Sequence, residues 1–131
     1  MNITGINHIT LNVRSLKESL AFYEDILLMK RVHLGRTDAY LESGTAWICL
    51  LEKGKDEKDD FSSKLGLDHF AFSIDEKGFH EVVRRLHINE VQIVRGPVER
   101  GGGLVVNFLD PNGIQLELNT SDLHTRMKHW Q

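Results

Sequence analysis

INHITLNV at residues 6–13 and LDHFAFSI at residues 67–74 decide the fold between them. Both alternate apolar and polar residues with the two-residue period of a half-buried strand, and both place a histidine third. In the first, Ile9, Leu11 and Val13 point one way and His8, Thr10 and Asn12 the other; in the second, Phe70, Phe72 and Ile74 oppose His69, Ala71 and Ser73. IQLELN at residues 114–119 repeats the pattern, with Leu116 and Leu118 opposing Gln115, Glu117 and Asn119. Two imidazoles and a carboxylate form a borderline to hard donor set, suited to Zn, Ni, Mn or Fe(II) with coordination positions left open. His8, His69 and Glu117 are therefore the candidate metal ligands.

Outward from these segments the chain reads as written twice. Residues 4–52 predict a strand, a helix and three short strands, residues 67–119 predict the same order again, and His69 holds the place in the second copy that His8 holds in the first. Ser15 followed by Glu18 is a capping-box pattern ahead of Leu16, Leu20, Tyr23 and Leu27, which fall on one helical face. Asp75 can cap a second helix with Phe79, Val82, Val83 and Leu86 as its apolar positions. Strands follow at 30–34, 38–42 and 46–52, then at 91–95, 104–109 and 114–119, with turns at Glu42-Ser43-Gly44-Thr45 and Asp110-Pro111-Asn112-Gly113. The expected organisation is one α+β domain over residues 1–131. It holds a first βαβββ repeat at 4–52, a charged linker at 53–65, a second repeat at 67–119 and a C-terminal helix at 121–130, opened by Ser121 and Asp122 and packed through Met127 and Trp130.

Composition narrows the function. A chain of 131 residues has enough apolar side chains for one core and little surplus. Its formal net charge of −3 provides no basic field for nucleic acid or anionic membrane, and no apolar run approaches membrane-spanning length. The start carries no basic, apolar leader pattern, and the single cysteine, Cys49, excludes an internal disulfide, so a cytoplasmic protein is expected. Gly101-Gly102-Gly103 lacks the strand-to-helix context of a phosphate loop and reads as a mobile substrate loop. His33, His80, His87, His124 and His129 read as solvated side chains.

GINHITLNV, AYLESGTAWICL at 39–50, LDHFAFSI and NFLDPNGIQLELNTSDLHTR at 107–126 together resemble the vicinal oxygen chelate superfamily, which contains glyoxalase I, extradiol dioxygenases and fosfomycin-resistance enzymes. Within it the chain is most similar to the fosfomycin-resistance thiol transferases. The resemblance implies cup-shaped mixed sheets, a divalent metal on His8, His69 and Glu117, and a homodimer acting on a small molecule. It also implies a low-molecular-weight thiol as cosubstrate, added to an epoxide such as fosfomycin. Thr10 would sit beside the reacting carbon, Tyr40 and Trp47 would line the cavity, and Arg126 with Arg95 or Arg100 would bind the phosphonate.

The pattern has departures. Asn107 stands where the family usually places a substrate-facing tyrosine, Arg95 lies near an expected lysine, and residues 96–103 replace the potassium-holding loop of the glutathione-using branch. Cys49 falls near the carboxylate that completes glyoxalase I, and it reads as a small apolar residue. A glyoxalase-like lyase, a dioxygenase and a non-catalytic drug-binding module of the bleomycin-resistance kind are the alternative functions.

Overall fold

The computed structural model describes residues 2–54 and 65–129, so most of the charged linker and Trp130 lie outside the described residues. The chain forms two compact units. The first holds β1 (Ile9–Val13), α1 (Leu16–Leu20) with a π-helical continuation at Ala21–Ile26, β2 (Lys30–Leu34), β3 (Asp38–Ser43) and β4 (Ala46–Glu52). Its sheet order is β1-β4-β3-β2, with β1 parallel to β4 and the other pairs antiparallel. Alternation explains the burial: Leu11, Val13, Ala39, Leu41, Ile48 and Leu50 are buried together with Leu16, Leu20 and Tyr23 of the helical segment, which lies against β4. Ser15 caps α1, its Oγ accepting from the Glu18 amide at 3.2 Å.

The second unit repeats the order with β5 (Phe70–Ser73), α2 (Glu76–Ile88), β6 (Ile93–Arg100), β7 (Gly103–Leu109) and β8 (Gln115–Asn119), then adds α3 (Leu123–His129). Its strands run β5-β8-β7-β6, again with only the first pair parallel. Asp75 caps α2 through the Gly78 amide at 2.7 Å, and Phe79, Val82 and Leu86 are buried on the face that meets β7. The buried Asp110 organises the β7–β8 turn, its Oδ1 accepting from the amides of Asn112 at 2.8 Å and Ile114 at 2.9 Å. Both units are thus βαβββ, the expected α+β architecture.

Four details differ from the sequence reading. β1 and β5 begin at Ile9 and Phe70, where pairing with their parallel partners starts, so His8 and His69 each stand one residue ahead of the strand. β6 runs past the expected end at Arg95 to Arg100, with a register shift between Arg95 and Val98. Gly96 permits that irregularity: its φ is +88°, and a Cβ there would lie 2.5 Å from the Val105 carbonyl oxygen. The expected mobile loop is instead a tight β6–β7 turn seated against α3. A Cβ on Gly102 would come within 2.8 Å of both His129 and Thr125, so the glycine is there for close approach. Of the terminal helix, Met127 is exposed instead of packed.

Candidate metal centre

Within the second unit the sheet register sets Glu117 between Ala71 and Asn107, and Asn107 opposite Arg95. Glu117 is 8% exposed. Each of its oxygens accepts one amide hydrogen, Oε1 from Asn107 Nδ2 at 3.2 Å and Oε2 from Asn119 Nδ2 at 3.0 Å. The amides are anchored in turn: Asn119 Oδ1 accepts from the Ser121 amide at 2.8 Å, and Asn107 Oδ1 from Arg95 Nη2 at 3.4 Å. Asn107, expected to face substrate, is fully buried, and its side chain bridges Arg95 and Glu117.

His69 completes this arrangement. Its Nδ1 lies 2.7 Å from Asp68 Oδ2, which leaves Nε2 as the ring atom turned toward the Glu117 carboxylate. Nε2 lies 3.3 Å from Glu117 Oε1. An imidazole nitrogen and a carboxylate oxygen this close, with the other ring nitrogen held by a carboxylate, form a donor set that fits a divalent cation.

The first unit presents a different face. His8 Nδ1 lies 2.7 Å from Asn7 Oδ1, and the ring stacks on Trp47 with centroids 4.1 Å apart and planes at 19°. Trp47 meets Tyr40 at 5.6 Å, and Tyr40 meets His33 at 4.8 Å. His33, read as solvated, also lies 3.2 Å from Asp38 Oδ1. Thr10 pairs with Cys49 across β1 and β4. Burial, and then the negative charge of Asp38, push the Cys49 thiol up, while a hydrogen bond with Thr10 pulls it down. The net direction keeps Cys49 a protonated thiol, a poor metal ligand.

Among the described residues, no three His, Cys, Asp or Glu side chains gather into a metal-binding group. The structure brings His69 and Glu117 together in the second unit and places His8 with Trp47 and Tyr40 in the first. Arg95 touches the Glu117 network through Asn107, Arg126 lies on α3 beside Gly101, and Arg100 ends β6. Sequence reading missed Asn7, Asp68 and Asn119. The first two carry a readable signal, since each directly precedes its histidine and offers an oxygen acceptor.

The chain belongs to the Glyoxalase/Bleomycin resistance protein/Dioxygenase superfamily, whose family profile matches residues 5–118. Among its relatives, the metallothiol transferase FosB of Staphylococcus epidermidis is 37% identical over 132 residues, covering 100% of this chain and 92% of the relative. Glutathione transferase FosA of Serratia marcescens is 32% identical over 127 residues, covering 95% and 86%. The solved structure of the fosfomycin resistance protein FosX from Listeria monocytogenes, complexed with Mn(II) and sulfate ion, matches with a TM-score of 0.77 at 25% identity, covering 99% of this chain and 100% of that one. Among the described residues no helix is long and apolar enough to cross a membrane.

Proposed function

We propose that this chain is a metal-dependent transferase that adds a low-molecular-weight thiol to a small phosphonate-bearing epoxide such as fosfomycin, as a cytoplasmic homodimer. The observation that carries the reading is the 37% identity to a metallothiol transferase along the whole chain. The His69–Glu117 pair, 3.3 Å apart with an outer tether on Asp68, supplies chemical support. His8, His69 and Glu117 would hold one divalent cation of the Mn, Ni, Zn or Fe(II) class. When bound, it would act as a Lewis acid toward the epoxide and phosphonate oxygens.

The remaining roles fall to this chain's own side chains. Arg126, with Arg95 or Arg100, would grip the phosphonate in bidentate fashion. Tyr40, 39% exposed, and the half-buried Trp47 would form an apolar wall. Thr10 would place its hydroxyl beside the reacting carbon. The attacking sulfur comes from a separate thiol, because Cys49 is buried and held protonated.

Metal-loaded protein is incubated with fosfomycin and glutathione, cysteine or bacillithiol, and thiol and epoxide are both followed. Metal-dependent consumption of both, lost in Thr10→Ala and Arg126→Ala, is expected. Protein that carries metal yet leaves fosfomycin intact with all three thiols overturns the transferase reading. A second reading has one specific support: another FosX structure, 26% identical to this chain, holds 1S,2S-dihydroxypropylphosphonic acid, the diol that water would give from the epoxide. Diol formation without thiol selects that reading. Sedimentation at micromolar concentration tests the dimer, and a purely monomeric protein rejects it.

A further inference from the structure

The line Arg95–Asn107–Glu117 crosses three adjacent strands of the second unit, and Asn107 is its hinge. It is fully buried, its Nδ2 donates to Glu117 Oε1, and its Oδ1 accepts from Arg95. Oε1 is also the oxygen that faces His69 Nε2, so Asn107 acts on the carboxylate atom nearest the histidine. The charges at the two ends specify the amide's orientation. Turned over, the amide would set oxygen against carboxylate and NH2 against guanidinium, which is unfavourable at both ends. Asn119 holds the other oxygen but is tied to the backbone of Ser121, so it is fixed whatever happens at Arg95.

We propose that Asn107 is a positioning residue that holds the Glu117 carboxylate for a divalent cation and transmits to it the state of Arg95. The inference rests on the metal centre proposed above. Arg95 is exposed and its bond to Asn107 is long, at 3.4 Å. A phosphonate, phosphate or sulfate group binds a guanidinium through charge-assisted, often bidentate hydrogen bonds, and competes well against a neutral amide oxygen. An anion arriving at Arg95 therefore loosens the amide's outer end and alters the hold on Oε1. Anion and cation sites become linked through one buried side chain, and by reciprocity each changes the other's affinity.

The test uses Mn(II) alone as the probe, titrated into the full chain and followed by the paramagnetic resonance signals of the free and bound ion. Asn107→Leu keeps the branched shape and removes both hydrogen bonds; it is expected to weaken Mn(II) binding about tenfold and to change the spectrum of the bound ion. Arg95→Gln is expected to weaken binding several-fold in the wild-type background and to have no effect in the Asn107→Leu background, which is the mark of action through Asn107. Acting through space instead, loss of a positive charge beside a cation site would tighten Mn(II) binding in both backgrounds, and that result overturns the proposal. So does unchanged Mn(II) affinity in Asn107→Leu. Should the leucine variant not fold, Arg95→Gln at its exposed position still decides by the sign of its effect. Wild-type protein that binds no Mn(II), or Glu117→Gln that keeps full affinity, defeats the metal centre itself; loss in Glu117→Gln with no change in Asn107→Leu or Arg95→Gln defeats only the relay.

Discussion

The same four-strand row carries opposite chemistry in the two units. Across β1, β4, β3 and β2 the paired residues are Thr10, Cys49, Tyr40 and His33; across β5, β8, β7 and β6 they are Ala71, Glu117, Asn107 and Arg95. A neutral thiol and two rings stand where the other copy has a carboxylate, an amide and a guanidinium. The two units thus share the backbone register and differ in the side chains set along it. The second unit holds charge in a bonded network, while the first provides a row of aromatic rings flanked by His8 and His33. The histidine tethers follow suit, with charged Asp68 behind His69 and neutral Asn7 behind His8.

Making the rows alike is the harshest challenge to this contrast. Cys49→Glu would bury a carboxylate beside Asp38 and opposite Tyr40, without the two amide donors that Glu117 has, and should cost about 3 kcal/mol or more of stability. Denaturant midpoints check this; a variant as stable as wild type would show that the first unit tolerates the second unit's chemistry. The turns give the next largest difference. Gly44 has φ +59° and open space around it, whereas Gly102 has φ +85° and also abuts α3. Gly102→Ala should cost about 2 kcal/mol and Gly44→Ala about half that, measured by the same unfolding curves.

Tethers rank third. Asp68→Ala should weaken divalent metal binding by about tenfold, and Asn7→Ala by less, because a carboxylate raises imidazole basicity more than an amide does. Calorimetric titration of metal into both variants reads the ranking, and equal effects would erase it. The smallest effect is on pH. The raised Cys49 pKa means the unfolded chain releases this proton first, so its contribution is full below the unfolded thiol's pKa and is lost as pH rises through the folded value. Asp122 behaves oppositely. Hydrogen bonds from Thr125 lower its pKa, so its contribution is present above the unfolded value and lost as pH falls through the folded one. Urea midpoints against pH should fall less steeply on the alkaline side in Cys49→Ala and on the acid side in Asp122→Ala.

What could be read from residues alone follows from where each signal lies. Period-two alternation and the Ser15 and Asp75 caps are local, so the eight strands and first two helices were legible to within a few residues. β6 was cut short because Gly96 and Pro97 are breakers in isolation, and only the close approach of β7 makes Gly96 part of a strand. The three glycines read as mobile because the helix they fit against is some twenty residues further on, a contact no local pattern carries. Glu117 was visible by alternation. Its two amide donors were not, since Asn107 is joined to it only by strand register and Asn119 looks like any other polar strand residue. The π-helical stretch at Ala21–Ile26 left no trace that periodicity could separate from an ordinary helix.

The metal centre proposed above assigns one divalent cation to His8, His69 and Glu117. Elemental analysis of the purified protein, after exposure to Mn(II) and removal of unbound ion, tests it most directly. One divalent ion per chain is expected in the wild type, with sharply reduced occupancy in each of His8→Ala, His69→Ala and Glu117→Gln and all three still folded. Full occupancy retained in all three variants would contradict it.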